Sequence, residues 1–111
     1  MKQVPLEESA QSRIDANGNA TVRLGPTVYG QSWEINTTSI TSDSTTQSKF
    51  YLYRNQVSPN SMFGGSYSGN QDFNDTTIKL QYGDVIIGRW TGGTPNASVI
   101  LNVSGTLTDV R

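Results

Sequence analysis

The sequence predicts an all-β fold: an antiparallel β-sandwich of about seven strands, jelly-roll-like or immunoglobulin-like. The strongest observation is the segment Ala97–Leu107, where apolar and polar residues alternate over eleven positions and only Ile100 breaks the pattern. No segment has a helical period, and turn-forming residues recur at regular intervals. A strand this long must bury its apolar face against another layer, so the remaining strands have to supply that layer.

Composition limits the functions open to the chain. Of the 111 residues, 33% are hydrophobic and 15% are charged, against an average of about 25% charged. The net charge is -1, and five Tyr, three Phe and two Trp are present, which favours a folded domain with a thin core over a disordered chain. The eight Lys and Arg residues are scattered, so we expect no nucleic-acid partner.

The chain has no cysteine and no histidine. This excludes disulfides, cysteine nucleophiles, histidine-dependent triads and the usual zinc ligands. No segment is long and apolar enough to span a bilayer, and the N-terminal segment lacks the apolar core of a signal peptide. We therefore expect no cofactor, no metal and no membrane partner.

Residues 1–10 are predicted to form an N-terminal arm, and residues 11–111 a single β-sandwich domain. The arm (MKQVPLEESA) is polar, contains a proline and has no clear period. Two interpretations are open. It is either a frayed terminus or an assembly arm in which Val4 and Leu6 anchor the chain on a neighbouring subunit.

The segment after the arm predicts a β-hairpin. A three-residue loop, Ala16–Gly18, keeps Ile14 and Ala20 together on one apolar face, and its glycine can take the left-handed conformation that such a loop requires. Asp15 and Asn19 then close the turn.

A second irregularity is predicted in the strand Gln31–Ser42. Trp33 and Ile35 share one parity, but Ile40 has the other. The apolar face therefore switches within the strand, which indicates a β-bulge or a bend near Asn36–Ser39.

In the strand Lys49–Arg54 (KFYLYR), Phe50 and Leu52 lie on one side and Tyr51 and Tyr53 on the other, so the pattern alone allows either face to be buried. We expect Phe50 and Leu52 to face inward, because tyrosine hydroxyls are easier to leave at a wet surface. The stretch Asn55–Asp75 has no period, and a stretch of this length is either functional or contains short strands. The other predicted strands are Thr76–Leu80, with Ile78 and Leu80 inward, and Val85–Trp90. A core this thin leaves a small margin of stability, so we expect a homo-oligomer.

Four segments, taken in order, resemble small virion proteins of tailed bacteriophages that infect actinobacteria. They are Gly25–Glu34 (GPTVYGQSWE), Tyr53–Pro59 (YRNQVSP), Gly64–Asp72 (GGSYSGNQD) and Gly83–Gly93 (GDVIIGRWTGG). The resemblance covers nearly everything from Ser12 to Leu107. It implies a virion component: a minor tail protein, a capsid decoration protein, or a domain related to receptor-binding tail parts. It brings no catalytic residues with it.

Two kinds of chemistry compete with a purely structural role. Four acids lie near aromatic residues, as the acid pairs of glycosidases do, but acids in turns and at strand ends are usually caps or solvated side chains. They are Glu34, Asp72, Asp75 and Asp84. Asp72, Asn74 and Asp75 offer oxygen ligands for Ca²⁺, although such residues in turns most often bond to their own backbone. We predict neither a catalytic residue nor a metal ligand.

Carbohydrate binding is the more serious alternative. Aromatic rings can stack on the apolar side of a pyranose while neighbouring amides and carboxylates bind its hydroxyls. For Trp33 and Trp90 a place in the core is the better interpretation. The predicted ligand or partner contacts are Tyr29, Tyr67, Asn70, Gln71, Asp72 and Phe73.

The sequence thus favours a non-enzymatic structural protein located in a phage virion. Its expected partners are other virion proteins and further copies of itself. The alternative is a carbohydrate-binding module that recognises a glycan of the host envelope.

Overall fold

The computed structural model describes residues 2–68, 71–75 and 77–109. These residues form nine β-strands and one 3-10 turn, and contain no α-helix. The strands are β1 (Lys2–Arg13), β2 (Ala20–Leu24), β3 (Gln31–Ser42), β4 (Lys49–Arg54), β5 (Met62–Ser68), β6 (Gln71–Asn74), β7 (Ile78–Gln81), β8 (Ile86–Thr91) and β9 (Ser98–Asp109), and the turn is Pro59–Ser61.

The strands form two antiparallel sheets. Sheet A has the order β1-β9-β3-β6, with β7 paired to the other half of β3, and sheet B has the order β2-β8-β4-β5. Apolar side chains from both sheets form one core between them. The predicted β-sandwich is confirmed. Strands β5 and β6 lie within residues 55–75, so this stretch contains short strands, which is one of the two interpretations of its sequence.

Strand β9 lies in the middle of sheet A. It pairs with β1 from Lys2 opposite Asp109 to Arg13 opposite Ser98, and with β3 along almost the whole of that strand. Val99, Leu101 and Val103 point into the core and are at most 3% exposed. The period of two read from the sequence is therefore the real alternation of this strand between core and surface.

The prediction of an N-terminal arm over residues 1–10 is wrong, because residues 2–13 form the edge strand β1. Leu6 is 2% exposed and packs in the core of its own chain, so it is not free to anchor a neighbouring subunit. Val4 is half-buried opposite Leu107. An edge strand with so few apolar residues has only a weak alternation of apolar and polar residues. For this reason its sequence looks like that of a polar terminal arm.

The predicted hairpin between the first two strands is also wrong, although its turn is correct. The Asp15 amide donates to the Asn19 carbonyl at 2.8 Å, and Gly18 has a φ of 85°. The flanking strands nevertheless belong to different sheets, β1 to sheet A and β2 to sheet B. A hairpin and a crossing between sheets both keep Ile14 and Ala20 on the apolar side, so the pattern could not distinguish them.

The irregularity predicted in β3 is confirmed. The register against β9 shifts between Ile35 and Thr37, which leaves Asn36 as the extra residue of a β-bulge. Gly105 lies opposite Ile35, and a Cβ atom there would collide with the carbonyl oxygen of Glu34. The bulge brings the two backbones too close for any other residue at this position.

The core confirms the predicted inward faces. Phe50 and Leu52 on β4 are at most 1% exposed, and Ile78 and Leu80 on β7 are at most 6% exposed. The ring centroids of Phe50 and Trp90 lie 4.6 Å apart. Aromatic contacts of this kind add to the free energy gained from burying apolar surface.

The close contact between Gly105 and the β3 backbone predicts that a larger residue at position 105 destabilises the fold. We expect Gly105→Ala to lower the free energy of unfolding by about 1–3 kcal/mol, because the new methyl group must displace the β3 backbone. Ser104→Ala, one residue away on the outer face, is the matched control and should change it by less than about 0.5 kcal/mol. Urea denaturation measures both. Equal effects of the two substitutions would contradict the assignment.

Candidate functional site

The outer face of sheet A presents polar side chains in rows that cross the strands. In one row Ser9 of β1 lies opposite Asn102 of β9, which lies opposite Ser39 of β3, which lies opposite Phe73 of β6. Directly opposed residues of an antiparallel sheet lie on the same face. The row therefore ends in an aromatic ring that is 67% exposed.

A parallel row adds further hydroxyl and carboxylate groups. Glu7 lies opposite Ser104, which lies opposite Thr37. The Thr37 hydroxyl donates to the Asp75 carboxylate at 3.4 Å. A depression of about 560 Å³ lies over the two rows. Its side chains are mainly hydrogen-bonding groups, so a polar partner fits it better than an apolar one.

The sequence contained a signal for this face that the site prediction did not use. The polar parity of the last strand (Asn102, Ser104 and Thr106) is the outward parity of β9. Ser9 and Ser39 have no comparable local signal, because only strand pairing places them beside Asn102.

Of the predicted contact residues, three lie together at the edge of sheet A. Gln71 lies opposite Thr41 and Phe73 opposite Ser39, on the outer face, whereas Asp72 lies opposite the buried Ile40 and has the other parity. The Asp72 carboxylate accepts a hydrogen bond from the Phe73 amide at 2.8 Å. Tyr67 belongs to β5, in sheet B. Its side chain and Asn70 lie outside the described residues.

Tyr29 lies at the opposite end of the sandwich. It precedes β3, and its ring packs edge-on against Tyr82 with a centroid distance of 5.6 Å. Ser39, beside Phe73, is eight residues beyond the first residue of β3, a separation of about 25 Å along a strand. Tyr29 and Phe73 therefore do not form one site, and Tyr82 is an exposed aromatic neighbour that the prediction missed.

The two tryptophans lie in the core, as the sequence favoured. Trp90 is 0% exposed and Trp33 is 7% exposed. Neither ring can serve as a platform for a ligand on the outer face. The aromatic contribution to this candidate site comes from Phe73.

A second polar cluster holds the connection between β7 and β8. The Asp84 carboxylate accepts hydrogen bonds from the Gln81 amide at 2.9 Å, from Asn55 at 3.3 Å and from Arg54 at 3.3 Å. The Gln81 hydrogen bond contributes most to lowering the pKa of Asp84, Asn55 and Arg54 lower it further, and partial burial opposes them. Asn55 also accepts a hydrogen bond from the Val85 amide at 2.8 Å. An open depression of about 650 Å³ adjoins this cluster, but the Asp84 carboxylate itself is already bound by the turn.

No group of three His, Cys, Asp or Glu side chains that could hold a metal ion occurs within the described ranges. Two of the residues that offer oxygen ligands for Ca²⁺ have other contacts, since Asp72 accepts a hydrogen bond from the Phe73 amide and Asp75 accepts one from the Thr37 hydroxyl. Among the described residues no helix has the length and apolar character needed to cross a membrane. Comparison of the chain with protein-family models, curated proteins and solved structures finds no match.

The hydrogen bonds around Asp84 make the stability of the fold depend on pH. The pKa of Asp84 is lower in the folded state than in the unfolded state. The contribution of its carboxylate to the free energy of unfolding is therefore complete above the ordinary aspartate pKa of about 3.9. It disappears as the pH falls through the lower folded-state pKa. We expect Asp84→Asn to lower the free energy of unfolding at pH 7 by about 1 kcal/mol and to flatten its decline below about pH 4. Chemical denaturation over this pH range measures both effects. A variant that keeps the wild-type pH dependence would contradict the assignment.

Proposed function

We propose that this protein is a non-enzymatic structural component of a tailed-phage virion, a minor tail or capsid decoration protein. The observation that carries the proposal is the outer face of sheet A, whose polar rows run from the free edge of β1 to the edge strand β6. Such a face can bind neighbouring proteins through many hydrogen bonds without any reacting group. The suggestion of a virion comes from the segment Ser12–Leu107, which resembles small virion proteins of tailed phages.

The positions of the acids support a non-enzymatic role. Glu34 lies on β3, Asp75 accepts from Thr37 three residues further along, and Asp72 lies opposite Ile40, again three residues further. Glu34 lies opposite Thr106, on the outer face, whereas Asp72 lies opposite the buried Ile40 and so has the other parity. Asp84 is bound by the turn after β7. The acids are better explained as surface and turn groups.

The direct test is the location of the chain. Purified particles of the phage that encodes it should contain the protein, and antibody-gold labelling in electron microscopy should decorate one fixed position on the particle. Particles stripped of loosely bound proteins by high salt are the control. Complete absence of the chain from purified particles would contradict the proposal.

Glycan binding is the second candidate, and Phe73 is the observation that favours it. The exposed ring stands at the end of a row of hydroxyl and amide groups from Ser39, Asn102 and Ser9. A pyranose could stack on the ring while its hydroxyls bind the row. Adjacent strands lie about 4.8 Å apart, so the row is about 14 Å long, enough for a short oligosaccharide.

Calorimetric titration with host cell-wall polysaccharide separates the two candidates. Calorimetry is preferable to tryptophan fluorescence because Trp33 and Trp90 are buried. If the face binds glycan, Phe73→Ala should weaken binding at least about tenfold, or ~1.4 kcal/mol. Tyr82→Ala, which removes an exposed ring elsewhere, is the matched control and should have no effect. No saturable binding at millimolar sugar would eliminate the glycan candidate and leave protein contact.

A further inference from the structure

The outer edge of β1 is the longest free strand edge in the described part of the chain. This strand has twelve residues and pairs on one side only, with β9. The edge strands of sheet B are shorter, with five residues in β2 and seven in β5. A free edge offers a row of unpaired N–H and C=O groups to which a second strand can bind.

The residues whose backbone groups face this edge can be identified from Ile14. The Ile14 amide donates to the Ala97 carbonyl at 2.9 Å, and the Ile14 carbonyl accepts from the Asn96 amide at 2.7 Å. The backbone groups of Ile14 therefore point toward the β9 side of the strand. The register of β1 is uninterrupted, and backbone direction alternates along an antiparallel strand. The odd-numbered residues of β1 therefore direct their N–H and C=O groups outward.

Pro5 fits this assignment and limits the free edge. A proline is tolerated in an edge strand where its missing N–H would have faced solvent, and Pro5 is an odd-numbered residue. It removes one outward donor from the first half of the strand. Residues 7–13 keep the complete outward set, from Glu7, Ser9, Gln11 and Arg13.

The charges of residues 7–13 are complementary to those of the same segment in a second copy of the chain, which makes a second copy the best partner. If two β1 strands pair antiparallel about a two-fold axis at Ala10, Glu7 of each copy lies opposite Arg13 of the other. Ser9 then lies opposite Gln11, and all four are outward-facing residues, as the hydrogen-bond pattern requires. An axis at Glu8 would instead place two like charges opposite each other. The net charge of -1 also leaves little repulsion between copies.

We propose that two copies of this chain pair through residues 7–13 of β1, with the two-fold axis at Ala10. The pairing forms about eight backbone hydrogen bonds and joins the two copies of sheet A into one continuous sheet. The exposed Glu7–Arg13 pairs contribute little to affinity but fix the register. The proposal depends on the sheet edge and its charges, and it holds whether or not the protein is part of a virion.

Sedimentation velocity at micromolar concentration tests the assembly. The wild type should be a dimer. Ser9→Pro should be a monomer, because it removes an outward donor and places a ring in the path of the second strand while leaving the bonds to β9 intact. Gln3→Pro, the same change at an outward residue beyond the contact, is the matched control and should remain a dimer.

Two further variants test the register itself. Arg13→Glu should weaken the dimer, and Glu7→Arg combined with Arg13→Glu should restore it, which a general loss of stability would not do. Because the chain has no cysteine, Ala10→Cys introduces one thiol per copy, at the axis. Opposed residues there have Cα atoms about 4.5 Å apart, within the disulfide range of roughly 4.4–6.8 Å. Oxidation should therefore link Ala10→Cys into a covalent dimer, and Gln3→Cys should not link.

A monomeric wild type would overturn the proposal. So would a dimer that Ser9→Pro leaves intact while circular dichroism shows a native fold. If Ser9→Pro fails to fold, the charge exchange and the cross-link decide. Failure of both then overturns the proposed register.

Discussion

The structure depends on the pairing of β9 with strands on both of its sides. The strands β1 and β3 both lie far from β9 in the sequence, and both take their register in sheet A from β9. The same strand sends Val99 and Leu101 into the core and Asn102 and Ser104 to the outer face. A slip of one residue would exchange these two sets. Core stability and the candidate surface are therefore fixed by one alternation.

Features that depend on the local pattern could be predicted from the sequence. The alternation of β9 and the bulge in β3 follow from a period of two and its interruption. The inward direction of Phe50 needs a further argument, that tyrosine hydroxyls are easier to leave at a wet surface. The choice of partner strand does not follow from the local pattern. The turn at Asp15 was identified correctly, but nothing near it shows that the chain passes to the other sheet. The first strand was missed for a related reason, since an edge strand with Leu6 as its deeply buried side chain has almost no period to detect.

The candidate site shows the same division. Phe73, Gln71 and Asp72 could be singled out because they are unusual residues in an irregular stretch. Ser9 and Ser39 could not, since isolated serines occur throughout this chain and acquire a neighbour only through pairing. Tyr29 was grouped with Phe73 by residue type alone. The sandwich then places the two at opposite ends, because β3 separates them by most of its length.

The pairing of Lys2 with Asp109 has a topological consequence. These residues lie on neighbouring strands, about 4.8 Å apart, so a short linker could join them and new ends could be opened at an exposed turn. Any polypeptide fused before β1 or after β9 would leave from the same pole of the molecule. The opposite pole, with Asp15 and Asn96, would stay clear. Circular permutation and terminal display should therefore both leave the order of the strands within each sheet unchanged.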